Sequence, residues 1–166
     1  MLVVGIDPGI AITGYGFIRP LAAGRLEAVD YGVIRTDAGM DLPRRLAFLH
    51  HRLADLLAQH QPEAAAVERL FFQRNVSTAM AVGEARGVAV LALAQAGLEV
   101  GEYSPQEVKQ AVTAYGSAEK RQMQEMIRIL LGLPSAPRPD DAADALAVAI
   151  CHLQHARLER GAGGVL

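Results

Sequence analysis

Residues 2–20, "LVVGIDPGIAITGYGFIRP", decide how the fold begins. The run from Leu2 to Ile6 is apolar except for Gly5 and closes on an acid, Asp7. A Pro-Gly pair turns the chain, and "TGYGFIRP" at 13–20 starts a second extended run. "RLEAVDYGVIRT", residues 25–36, alternates well enough for a third. Glycine and proline stand at the joints, where strands break. The connections are too short for the helical crossover that parallel neighbours need, so the three strands form an antiparallel meander.

Outward from that meander the pattern changes. From Asp41 to about His60 the apolar spacing is helical, with Leu46, Leu49, Leu53, Leu56 and Leu57 on one face. Pro43 falls in the first turn, where proline is tolerated. "PEAAAVERL", residues 62–70, reads as a short buried strand that again ends in an acid, Glu68. "FFQRN" at 71–75 links it to a long helix from about Val76 to Ala96, and "LEVGEYS" at 98–104 is a fifth strand. Helices then start near Pro105, Ala118 and Asp140. The expected class is α/β, a five-stranded mixed sheet flanked by helices. No internal repeat, low-complexity segment or linker interrupts it. Residues 1–158 are expected to form a single domain, and 159–166, polar and glycine-rich, a flexible C-terminal tail.

The chain has 166 residues, 51% of them hydrophobic, which suits one sizeable core. A single cysteine, Cys151, excludes an internal disulfide framework and points to a reducing, cytoplasmic setting. The N-terminus lacks a basic region and a long apolar run, so no signal peptide is expected. "GVAVLALAQAGLEV" from Gly87 is too short and interrupted to span a bilayer, so no membrane role is expected. The net charge of −2 argues against a non-specific nucleic-acid binder, although the only two lysines, Lys109 and Lys120, both lie in the second half.

The acids carry the chemistry. Asp7 ends the first strand, Glu68 ends the fourth, and Asp140, Asp141 and Asp144 open the last helix. Helix capping accounts for Asp140 and Asp141, since first-turn acids face free N–H groups and the positive dipole end. It accounts less well for Asp144. Asp141 and Asp140 lie three and four residues before Asp144, so either shares a face with it, and spacing leaves both open. Parallel neighbouring strands deliver their C-terminal residues to one sheet edge, where ligands bind. If strands one and four are such neighbours, Asp7 and Glu68 sit side by side, with the last helix bringing its aspartates to them. Carboxylates so crowded repel one another. Hard divalent cations remove that repulsion, and a pair of them can drive phosphodiester cleavage. Taken singly, each acid has a plain reading as a turn residue, a partner for Arg69 or a cap. Their coincidence does not.

"GIDPGIAITGYG", "AVERLFFQRNVSTAMAVGEARG", "YSPQEVKQAVTAYGSAEKRQMQEMI" and "DDAADALAVAICH" together resemble the RuvC family of bacterial Holliday junction resolvases. The match runs in order from Gly5 to about His155. It implies an RNase H-like fold, a homodimer, and Mg²⁺- or Mn²⁺-dependent cutting of four-way junction DNA with two ions per site. It also implies work alongside a RuvAB-type branch-migration complex. By motif, the catalytic and metal-binding acids are Asp7, Glu68, Asp141 and Asp144. Asp141 is preferred to Asp140 because it stands at the first acid of the family's D-A-A-D segment.

The same resemblance assigns Lys109 and Lys120 to DNA phosphates. Phe71 aligns with the family's stacking aromatic, Phe72 is an additional ring, and Arg74 and Asn75 are candidate phosphate or base contacts. The five histidines fit no metal spacing and read as packing or surface residues. An RNase H-fold nuclease acting on RNA, similar to the YqgF group, shares the GIDPG opening but lacks the "VKQ…AEK" segment. A non-catalytic junction-binding scaffold would not need four acids. On the long helix, Ala79, Gly83 and Gly87 recur at four-residue spacing and form the candidate dimer interface, if they do not pack on their own sheet instead.

Overall fold

The computed structural model describes residues 1–69 and 76–162. Its strands are β1 (Val3–Asp7), β2 (Ile12–Pro20), β3 (Leu26–Arg35), β4 (Ala64–Glu68) and β5 (Val100–Tyr103). Its helices are α1 (Leu42–His60), α2 (Val76–Gln95), α3 (Pro105–Thr113), α4 (Lys120–Leu130) and α5 (Asp140–Ala162). The strands form one sheet in the order β3-β2-β1-β4-β5. β1, β2 and β3 are antiparallel, whereas β1–β4 and β4–β5 are parallel. The meander and the five-stranded mixed sheet expected from the sequence are therefore present. α5 continues to Ala162, past residue 158.

Local chemistry sets the element ends. Thr13 is buried, and its hydroxyl both donates to the Gly9 carbonyl (2.7 Å) and accepts from the Gly9 N–H (3.3 Å), which pins the turn after Asp7. α1 starts at an Asp41 cap that accepts from the Arg44 N–H, with Pro43 in the first turn. α3 starts in a capping box, in which Ser104 accepts from the Glu107 N–H while Glu107 accepts from the Ser104 N–H.

Strand periodicity of two then separates two cores. One sheet face carries Val3, Ile18, Ala64 and Ala66 against Leu146, Ile150 and Ile127 of α5 and α4. The other carries Val4, Ile6, Phe17, Ile34, Ala65 and Val67 against Leu49 and Leu53 of α1 and Ala85, Ala89 and Leu93 of α2. Cys151 lies in the first core with no exposed surface, and burial pushes its thiol up to about 12, so it behaves as a small hydrophobe. Among the described residues no helix is long and apolar enough to cross a membrane.

Candidate active site

β1 and β4 run side by side in the same direction, and their last paired residues are Ile6 and Val67. Asp7 and Glu68 are each the next residue along. Because Val3 and Gly5 face α5 while Val4 and Ile6 face α1 and α2, alternation turns Asp7 towards α5. The same count along Ala64, Ala66 and Glu68 turns Glu68 to that face. Two carboxylates thus stand at the C-terminal ends of adjacent parallel strands, where the sheet leaves an open edge. The main chain at Glu68 is braced from the other side. Arg86 of α2 donates to its carbonyl at 3.4 Å and to the Glu102 carboxylate at 2.6 Å, and the Arg69 N–H continues the ladder to Tyr103.

α5 reaches these acids because three glycines let it. Gly5 pairs with Gly16, and Asp7 pairs with Gly14, so on the helix-facing side β1 and β2 present no side chain at Gly5, Gly14 and Gly16. A β-carbon at Gly5 would stand 2.1 Å from the Ala145 carbonyl oxygen, and one at Gly14 1.9 Å from that of Asp141. At Gly16 it would meet Leu146 at 2.7 Å. The helix backbone therefore rests almost directly on the sheet, with Asp141, Ala145 and Ala149 stacked along it at four-residue spacing. Asp141 is thereby set over the strand residue opposite Asp7, and Asp144, one turn on, is directed towards β4. The alanines of "DAADALAVA" serve this contact: a larger side chain would lift the helix off.

The electrostatics record the crowding. Burial, then the charges of Asp144, Glu68 and Asp141, pushes Asp7 up to about 7, with Lys120 opposing. Burial first, then Asp144, raises Glu68, with Lys109 opposing. Asp144 is raised mainly by burial and further by Asp140 and Asp141, again against Lys120. Four acids from three elements thus form one electrostatic unit. Among the described residues no three of them are drawn up into a ligand cluster. Mutual repulsion holds such carboxylates apart until a cation neutralises them. The donors are all hard oxygens without thiolate or imidazole, the chemistry that suits Mg²⁺ or Mn²⁺.

Glu68 and Asp144 also line a pocket of about 260 Å³ together with Lys109 of α3 and Lys120 of α4, over an apolar wall that includes Val108, Met123 and Ala147. An opening lined by both carboxylates and ammonium groups can hold a phosphate beside a cation site. A larger groove between α1 and α2, about 470 Å³, is lined by Ala54, Leu57, Ala92 and Leu98 and has no titratable side chain on its wall.

Asp140 adds to the charge felt at Asp144, but its own carboxylate is held by α4. Its carboxylate pairs with Lys120 (2.8 Å) and accepts from Gln124 (2.7 Å), and the Lys120 hydrogen bond holds it below the usual aspartate range. Asp140 does not contribute to the shift at Asp7, whereas Asp141 does. The Lys120–Gln124 clamp and the Arg86 brace escape sequence reading. Gln124 lies one turn after Lys120, a visible spacing, but nothing in the sequence names Asp140 as their partner. Phe71, Phe72, Arg74 and Asn75 lie outside the described residues. The histidines pack: His60 pairs with Asp30 and lies over Phe17, His50 meets Gln95, and His152 and His155 meet Tyr103.

The sequence model described as "Crossover junction endodeoxyribonuclease RuvC" matches residues 3–152. Proteins of that name from Chloroflexus aggregans and Desulfitobacterium hafniense are similar to this chain. The first is 58% identical over 152 residues, 92% of each chain, and the second 53% over 166 residues, 100% of each. The structure of Thermus thermophilus RuvC, solved in complex with a Holliday junction substrate, superposes with a TM-score of 0.87 at 37% identity, covering 95% of this chain and 96% of that one. The fold is accordingly RNase H-like. The chain belongs to the RuvC family of crossover junction endodeoxyribonucleases.

Proposed function

We propose that the protein resolves Holliday junctions by paired phosphodiester cleavage, with Asp7, Glu68, Asp141 and Asp144 holding two Mg²⁺ or Mn²⁺ ions. The observation that carries this reading is the convergence of those acids, with Asp7 pushed to about 7, beside a pocket shared by Glu68, Asp144, Lys109 and Lys120. When bound, such ions supply an activated water and neutralise charge on the leaving oxygen. The chain's own residues do the rest. Lys109 and Lys120 hold phosphate oxygens across the pocket from the acids and offset the charge that grows there during cleavage. Near neutrality Asp7 is about half protonated in the metal-free protein, and the proton it holds passes to solvent as the carboxylates become ligands. Phe71 or Phe72 stacks on a base at the opened junction centre, and Arg74 and Asn75 contact the strand beside it.

A four-way junction offers two equivalent strands, so two-fold symmetry in the protein matches two sites to two scissile bonds. The proposed interface is the outer stripe of α2. Among the described residues, added β-carbons at Gly83 and Gly87 would meet nothing within 4 Å, and Met80 and Leu91 are 62% and 51% exposed, while Ala85, Ala89 and Leu93 take the buried side. The open space over Gly83 and Gly87 supports assigning the Ala79, Gly83 and Gly87 stripe to a second copy of the chain. The setting is the cytoplasm, in partnership with a RuvAB-type motor. The test is incubation of the purified protein with synthetic four-way junctions, linear duplex and RNA, with and without Mg²⁺ or Mn²⁺. Metal-dependent, paired nicking of the junction alone is expected. Equal cutting of duplex or RNA contradicts the reading.

A further inference from the structure

α4 opens with Lys120, a cation at the end of a helix where the dipole disfavours it. Gln124, one turn on, shares its face. Together they grip Asp140: Lys120 Nζ lies 2.8 Å from Oδ2, and Gln124 Nε2 donates to Oδ1 over 2.7 Å. Both oxygens of Asp140 are thereby engaged by α4. Asp140 heads α5 one turn before Asp144, and Lys120 lines the same pocket as Asp144 and Glu68. Its charge is also felt at Asp7 and Asp144. An ammonium on a flexible stem beside mutually repelling carboxylates has an alternative resting place, in their midst, as an internal counter-ion. There it would compete with a divalent cation.

We propose that Asp140, braced by Gln124, is a positioning residue that holds the Lys120 ammonium at the pocket rim and out of the carboxylate cluster. The cluster is then left open to metal and the ammonium to a substrate phosphate. This explains why a chain already crowded with acids places one more at the head of α5, and why a lysine stands at the start of α4. The inference rests on the metal-binding reading of Asp7, Glu68, Asp141 and Asp144.

The test needs no DNA. Thermal melts during a Mn²⁺ titration give the concentration for half-maximal stabilisation in wild type, Asp140→Asn, Lys120→Met and the double variant. Asp140→Asn is expected to raise that concentration about tenfold, the scale on which groups behind metal ligands act. In the Lys120→Met background the same substitution is expected to change it by less than about twofold, because the competitor is gone. An equal effect in both backgrounds means that Asp140 acts by its charge alone and overturns the inference, as does no effect in either. Wild-type protein whose melting ignores Mn²⁺ overturns the metal reading itself, and the inference with it.

Discussion

Asp7→Asn is expected to stabilise the metal-free protein, and to do so only where Asp7 is ionised. The native carboxyl titrates near 7 against an ordinary 3.8, mainly through burial and then through Asp144, Glu68 and Asp141. Between those values the native state binds more protons than the unfolded one, so stability falls as pH rises from about 4 and levels off above about 7. The difference between 3.8 and about 7, at about 1.4 kcal/mol per pH unit, amounts to roughly 4 kcal/mol lost at pH 8. Asparagine avoids the ionisation but still buries an amide, at a cost of about 1–3 kcal/mol. The net gain at pH 8 is then about 2 kcal/mol, or roughly 4–8 °C in Tm for a chain of this size. Melts followed by circular dichroism in chelator at pH 5 and pH 8 measure it, and at pH 5 the gain should largely vanish. Adding Mn²⁺ at pH 8 should reverse the order, raising wild type and leaving the variant behind. Equal melting of the two proteins in chelator at pH 8 would refute the electrostatic reasoning.

Glu68→Gln should reduce junction cleavage by about 100-fold or more while leaving junction affinity within about threefold, since phosphate contacts supply most of the binding. Near wild-type cutting would remove Glu68 from the site. Gly14→Ala puts a β-carbon 1.9 Å from the Asp141 carbonyl oxygen, so α5 must lift. Melts should show a loss of about 1–3 kcal/mol, and cleavage should fall with it. Gly83→Ala, with no described residue within 4 Å of the added carbon, should leave the melt unchanged or raise it slightly. Gly87→Arg on the outer face of α2 should shift sedimentation from dimer to monomer without lowering cleavage-independent stability, and a dimer that persists would move the interface elsewhere.

The strands were legible because their apolar runs end at glycine, proline or an acid, while the parallel pairing of β1 and β4 was only a condition in the sequence and is seen in the sheet. α1 was legible through its leucine spacing. The glycine track was not. In the sequence Gly5, Gly14 and Gly16 read as weak points in strands, and their purpose appears only when α5 lies across them. Asp140 and Asp141 have spacings to Asp144 that both suit a helix face, so no count along the chain separates them. What the fold adds is a partner for Asp140 on α4, where Lys120 and Gln124 engage its carboxylate, while the charge of Asp141 is felt at Asp7. The outward stripe of α2 was equally ambiguous, because small residues suit either a sheet or a second helix. Only the placement of Ala85, Ala89 and Leu93 in the core shows which side is buried.

Anomalous diffraction from crystals grown with Mn²⁺ and an uncleaved four-way junction tests whether the convergent carboxylates are a divalent-cation site serving a scissile phosphate. Anomalous peaks are expected bounded by Asp7, Glu68, Asp141 and Asp144, with a junction phosphate between them and Lys109 and Lys120, and with Asp140 still on α4. Manganese bound elsewhere, in a preparation that cuts junctions on dissolution, would contradict that assignment.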